Sequence, residues 1–158
     1  MRRSKSITHT FLLDTNIFIS AIKNPRRQTN TLRLVLHIIE EPSISLIGNS
    51  LLIEEMVRYA ELLRSETAAI LLYALIAKMK IVNIQENYLK ICKLYIETPD
   101  KADILHAATC LQTNAVLISN DHHFDRVRNE KIIKVWSSKE AIDKFLKNNT
   151  SLPAYSKM

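Results

Sequence analysis

Carboxylates at Asp14, Glu54 or Glu55, Asp103 and Asp121 are the residues best placed to do chemistry in this sequence. Each falls where an apolar run ends or in the helical pattern just beyond one. Asp14 closes Phe11-Leu12-Leu13, after which Ile17, Phe18 and Ile22 take helical spacing. Glu54 and Glu55 lie about a turn and a half into a helix opened by Asn49-Ser50, and Glu55, directly before Met56-Val57, is the better inward-reaching acid. Asp103 follows the N-cap Asp100 by one helical turn, and Asp121 ends Ala115-Val116-Leu117-Ile118-Ser119, the plainest strand. Singly, each has an ordinary structural explanation. Asp14 suits a helix N-cap, the glutamates suit a solvated helix face, and Asp103 gains about 0.3–1 kcal/mol from the helix dipole. Asp121 suits a polar turn. Together they occupy separate strand-end corners, and in open α/β sheets ligands bind beyond the carboxyl ends of the strands, where strand order reverses. Carboxylates converging there at about 4 Å would repel by about 4 kcal/mol per pair at an effective dielectric near 20. Such a cluster takes up protons or binds a cation. Oxygen ligands without cysteine or clustered histidine select Mg2+ or Mn2+ over Zn2+.

The elements that must position these acids read as strands separated by helices. Short apolar runs at Thr10–Leu13, Ile44–Ile47, Lys80–Ile84, Ala115–Ser119 and Ile132–Val135 predict about five strands. Between them, helical spacing places Leu32, Val35, Leu36 and Ile39 on one face over 31–40, and Leu52, Ile53, Met56, Val57, Ala60 and Leu63 on another over 50–63. Further helices are expected over 65–79, 86–97, with Leu89, Cys92, Leu94 and Ile96 facing the core, 101–113, 124–127 and 139–146. Alternation of this kind predicts a three-layer α/β/α sandwich around a mostly parallel sheet. The 158 residues read as one domain, 1–158, with its core over about 10–147 and flexible ends at 1–6 and 148–158. The helix over 65–79 is apolar around most of its circumference, so it is expected to be buried on more than one side, between layers or in a homodimer.

Composition narrows the function. A net charge of +6 favours a polyanionic partner, and nucleic acid is the commonest one. A single glycine, Gly48, excludes a Gly-rich phosphate loop and a dinucleotide fingerprint. The two cysteines, Cys92 and Cys110, lie in helical patterns without metal-ligand spacing and read as buried thiols. No run approaches the roughly eighteen apolar residues of a membrane span, and the basic start Met1-Arg2-Arg3-Ser4-Lys5 leads into no signal-like apolar stretch. A cytoplasmic location is expected. His122 and His123 are adjacent and do not both easily face one ion. His106, a turn beyond Asp103, is expected to be a hydrogen-bonded helix histidine.

The segments Leu13-Asp14-Thr15-Asn16, Ile53-Glu54-Glu55-Met56, Asp100 to Ala108 and Leu117-Ile118-Ser119-Asn120-Asp121 resemble the PIN-domain nucleases, including the VapC-like toxins, over roughly Phe11 to Val135. The resemblance implies that Asp14, Glu55, Asp103 and Asp121 form an acidic quartet that is both catalytic and metal-binding. Asp14 and Asp121 would be the main ligands of Mg2+ or Mn2+. Ser119 would stand where the family has Thr or Ser, Asn16 would orient neighbouring carboxylates, and Thr15 would support them. The implied activity is metal-dependent endonucleolytic hydrolysis of single-stranded RNA, by the toxin half of a toxin–antitoxin pair or by an RNA-processing enzyme. The alternative is a catalytically weak PIN-like RNA-binding or assembly module. Arg26, Arg27 and His122, with Arg2, Arg3 and Lys5, are candidates for holding RNA. His122-His123 departs from the charged residue the family often carries before Phe.

Overall fold

The computed structural model describes residues 9–24, 27–97 and 100–147. Arg26, Arg2, Arg3, Lys5 and both expected flexible ends lie outside the described residues.

All five strands pair in parallel in one sheet, in the order β3-β2-β1-β4-β5, with β1 His9–Leu13, β2 Ile44–Gly48, β3 Met79–Ile81, β4 Val116–Ile118 and β5 Lys134–Trp136. The central strand supplies Phe11, Leu12 and Leu13, consecutive and fully buried, as a parallel strand covered on both faces must. Strand order runs outward from β1 to β3, then returns to the other side of β1 with β4. Right-handed crossovers therefore put α1 Thr15–Ile22, α2 Asn30–Glu40, α3 Ser50–Leu63 and α4 Glu66–Lys78 over one face. They put α5 Glu86–Lys93 and α6 Lys101–Thr113 over the other. Contacts between α1 and α2, α3 and α4, and α5 and α6 accord with this layering. The expected fold class is the one observed.

Several boundaries differ from those expected, for identifiable reasons. The last strand begins at Lys134 rather than Ile132 because Lys131 is left-handed (φ 58°) and the amides of Ile132 and Ile133 point to the Val127 carbonyl. They close α7 Asp125–Asn129 instead of joining the sheet. α5 stops at Lys93 as its bonds tighten, with Tyr95 and Ile96 both donating to the Cys92 carbonyl. Leu94, expected in the core, is thereby turned out and 68% exposed. In α2 the buried face is Leu32, Leu34, Val35 and Ile38, so Leu36 is exposed. The chain's C-terminal helix is short, α8 Ser138–Ile142 with a full capping box at Ser137 and Glu140, and widens into a looser turn over Asp143–Lys147. α4 buries Ala68, Leu71, Leu72 and Leu75 and leaves Ile70 and Tyr73 about 70% exposed, so among the described residues it is covered on one side only. Gly48 lies under the Met79 side chain, and a Cβ there would press on Met79 Sδ, so any larger residue needs that side chain to move.

Candidate active site

Strand order reverses between β1 and β4, and the carboxyl ends of those two strands carry Asp14 and the Ser119–Asp121 turn. Asp14 occupies the N-cap position of α1 with extended backbone, but its side chain does not cap the helix. Its Oδ2 instead accepts a 2.6 Å hydrogen bond from Ser119 Oγ. Ser119 Oγ also accepts from the Asp121 amide at 3.0 Å, so one hydroxyl ties the two strand-end acids together. Asp100 takes the capping duty on α6, accepting from the Ala102 amide at 2.9 Å. That leaves Asp103, in the first turn and 6% exposed, to face the same sheet edge.

Glu55 turns inward and Glu54 is exposed. Two donors hold Glu55 Oε1: Thr15 Oγ1 at 2.9 Å and His106 Nε2 at 3.1 Å. The tautomer of that histidine follows from its other neighbour. Asn49 caps α3 through Oδ1, which accepts from the Leu52 amide at 2.8 Å, so its amide nitrogen faces Thr109 Oγ1 (3.0 Å) and His106 Nδ1 (3.2 Å). Thr109 spends its own hydrogen on the Leu105 carbonyl. His106 Nδ1 therefore accepts, its hydrogen sits on Nε2, and that hydrogen points at Glu55. Asn49, His106 and Thr109 are all buried, and each finds a partner here.

The fourth acid brings in a residue the sequence reading left out. Asp121 opens a tight 3-10 turn over His122–Phe124, its Oδ1 accepting the His123 amide at 2.9 Å, while Phe124 anchors the turn in the core. His123 folds back over the acids. Its Nδ1 lies 2.6 Å from Asp103 Oδ2 and 3.3 Å from Asp121 Oδ1. His122 points away, 93% exposed and 3.3 Å from Asp125. Arg27 is exposed, and Asn16 is exposed and makes no side-chain hydrogen bond to a site carboxylate. The orienting contacts come from Thr15, Ser119 and His106 instead.

The electrostatics show how the acids are arrayed. Asp14 feels the charges of Asp121 and Glu55, and Asp103 feels those of Asp121 and Asp100. Burial is the largest cause raising Asp14 and Asp103, the latter to about 6, with mutual repulsion second to it. Burial would also raise Glu55, but hydrogen bonds from His106 and Thr15 outweigh it, and its carboxyl is lowered. The hydrogen bond to Asp103 and the charge of Asp121 raise His123. The donor set fits a divalent cation: Asp103, Asp121 and His123 each offer an atom within 4.8 Å of the others, a group that does not include Asp14 or Glu55, and Asp14 is joined to Asp121 through Ser119. It differs from the all-oxygen set expected in containing one imidazole. The thiols take no part, since burial pushes Cys92 up to about 11 and Cys110 higher still.

A parallel sheet with linked acids at its switch point defines an α/β protein built to manage concentrated negative charge. The chain belongs to the PIN domain family, a family of nucleases, whose model matches residues 11–130. Among solved structures, VapBC2 from Rickettsia felis bound to a DNA fragment from their promoter aligns with TM-score 0.59 and 18% identity, covering 81% of this chain and 98% of that one. VapBC-1 from nontypeable Haemophilus influenzae aligns with TM-score 0.56 and 18% identity over 82% and 98%. FitAB bound to an IR36 DNA fragment aligns with TM-score 0.52 and 19% identity over 81% and 94%. At these identities the likeness speaks for the fold. A comparison with curated proteins finds no match. Among the described residues, no helix is long and apolar enough to cross a membrane.

Proposed function

We propose that this chain is a metal-dependent endoribonuclease that hydrolyses phosphodiester bonds of single-stranded RNA, and that it is the toxin of a toxin–antitoxin pair. The observation that supports the reading is the linkage of acids from separate elements near the β1/β4 switch point: Ser119 joins Asp14 to the Asp121 backbone, Asp103 and Asp121 offer atoms within 4.8 Å of each other, and Thr15, next to Asp14, holds Glu55. Asp103, Asp121 and Asp14 would hold Mg2+ or Mn2+, with Glu55 completing the shell directly or through water. The bound ion supplies Lewis-acid activation of water and neutralises charge building on the phosphate. Ser119 holds Asp14 and the Asp121 backbone in register. Thr15 and His106 fix the rotamer of Glu55 and keep its carboxyl ionised at neutral pH. Arg27, Arg26 and His122 are proposed to engage the RNA backbone, with affinity falling as salt rises.

The toxin assignment draws on the solved neighbours, which are VapBC and FitAB assemblies, and it implies an antitoxin protein as partner. A homodimer is proposed through α3 and α4. Leu62, Ile70 and Tyr73 are each at least two-thirds exposed there, beside Arg58, Glu61, Arg64 and Glu66. Two charges of each sign let this patch pair with its own copy about a two-fold axis. Light scattering should give a dimer mass that Tyr73→Glu with Ile70→Glu halves.

The nuclease reading is tested by incubating the purified chain with labelled single-stranded RNA and Mn2+ or Mg2+. Cleavage should vanish with EDTA and fall at least about a hundredfold in Asp14→Asn and Asp121→Asn. Cleavage indifferent to chelator and to both substitutions belongs to a contaminant and overturns the assignment. RNA binding without any cleavage would favour the assembly-module alternative.

A further inference from the structure

His123 stands closer to two of the site acids than any basic side chain was expected to. Its position is built rather than incidental. The Asp121 carboxylate receives the His123 amide at 2.9 Å, and the next residue, Phe124, is 1% exposed and locks the turn into the core. The ring nitrogen Nδ1 then lies 2.6 Å from Asp103 Oδ2 and 3.3 Å from Asp121 Oδ1. An octahedral ion with ligands at about 2.1 Å sets neighbouring ligand atoms about 3 Å apart. The two observed separations bracket that value, and all three atoms fall within 4.8 Å of one another. The 2.6 Å contact is a hydrogen bond in the ion-free site, and a cation drawn between the three atoms would take the place of the hydrogen that now joins His123 to Asp103.

We propose that His123 Nδ1 is itself a ligand of the divalent cation, together with Asp103 and Asp121, so that this chain has a mixed nitrogen–oxygen site that takes Mn2+ in preference to Mg2+. The proposal rests on the cation reading made above and adds the identity of a ligand to it. A neutral imidazole has one N–H, so a ligating Nδ1 leaves the hydrogen on Nε2. Nitrogen ligation discriminates because Mg2+ keeps to oxygen and holds its waters, whereas Mn2+, though it also favours oxygen, belongs to the first-row transition series whose members bind at sites containing nitrogen. His106 makes no comparable contribution. Its Nδ1 is occupied by Asn49 and its Nε2 hydrogen by Glu55.

The test is pulsed electron paramagnetic resonance on the full chain loaded with one equivalent of Mn2+, without nucleic acid, with Mn2+ and Mg2+ affinities measured in parallel by competition titration. Coupling to one imidazole nitrogen is expected in the unaltered chain and in His106→Gln, and its loss is expected in His123→Gln with Mn2+ still bound. The preference for Mn2+ over Mg2+ should fall about tenfold in His123→Gln. The ring is half exposed, so this substitution leaves the core intact. Bound Mn2+ with no nitrogen coupling, or coupling that survives His123→Gln, overturns the ligand assignment and leaves the cation reading standing. Failure of the unaltered chain to bind Mn2+ at all overturns both.

Discussion

Replacing Asp103 by Asn should stabilise the cation-free protein at neutral pH while removing a group the site needs. Asp103 is 6% exposed, and its carboxyl is raised from 3.8 to about 6, by burial first and by the neighbouring Asp121 charge second. A carboxyl raised on folding means the native state binds more protons than the unfolded chain between those two values, so stability falls as pH rises through that window. Two units at about 1.36 kcal/mol each give a loss of about 3 kcal/mol between pH 4 and pH 7. His123, also raised, adds a loss of the same sign, since stability from a raised histidine disappears as pH climbs through its folded value. The introduced amide keeps an oxygen for His123 but forfeits the charge in a 2.6 Å contact, which offsets about 1 kcal/mol of the gain. The net expectation is near equality with the parent at pH 4.5 and an advantage of about 2 kcal/mol for Asp103→Asn at pH 7.5. Urea titrations in EDTA at pH 4.5, 6.0 and 7.5 measure it. Saturating Mn2+ should reverse the order, because the parent gains about 2.7 kcal/mol when the ion stands at a hundred times its dissociation constant. A variant destabilised equally at every pH would refute the reasoning, since it would mean that the Asp103 charge carries no cost in the folded state.

Ser119→Ala removes the hydroxyl that donates to Asp14 and accepts from the Asp121 amide, so Asp14 should rise further and stability should drop by about 1.5–3 kcal/mol, read from urea midpoints. Ser119→Thr, which keeps the hydroxyl, should recover most of that loss. His106→Leu leaves the Asn49 amide with Thr109 as its remaining acceptor, removes one of the two donors to Glu55 and should cost about 1–3 kcal/mol at pH 7.5. Because Glu55 is lowered in the parent, its share of stability is present above 4.5 and is lost as pH falls through its folded value, so the variant should lose less on acidification. Arg64 is left-handed at the end of α3 (φ 49°), and Arg64→Gly should raise the thermal midpoint by relieving about 1 kcal/mol of strain; no rise would mean that the Arg64 side chain contributes packing there.

What the sequence made legible was whatever follows from period and order. Apolar runs separated by helical spacing led to a parallel sheet between helical layers, and acids at strand ends led to the edge where they meet. Strand ends were less legible, because they depend on where backbone amides are sent: Ile132 and Ile133 look like strand residues and lose that role to the Val127 carbonyl. Helix faces were hard to assign where consecutive positions are apolar, as in Leu34-Val35-Leu36 of α2. Leu34 and Leu36 are the same residue type two positions apart, and only the packing of α2 against its neighbours decides that the first is buried.

The site divides along the same line. That Asp14, Asp103 and Asp121 would approach each other follows from topology, but which groups would orient them does not. Asn16 is the polar neighbour a reader of the sequence would choose, yet it falls on the outer side of the first turn of α1, whereas Thr15, one residue earlier, faces Glu55. One residue on a helix is a rotation of about 100°, enough to exchange an inward hydroxyl for an outward amide. The His122-His123 pair obeys the same geometry in a tighter turn. Adjacent histidines do not share an ion, and that argument, applied to the pair as a unit, discounted both. The 3-10 turn separates them, because Phe124 is drawn into the core and carries His123 over Asp103 while His122 turns to solvent. A cue was present in the sequence: a large aromatic just after two polar residues fixes the rotation of the turn, and the ring next to the anchor is the one whose position that rotation determines.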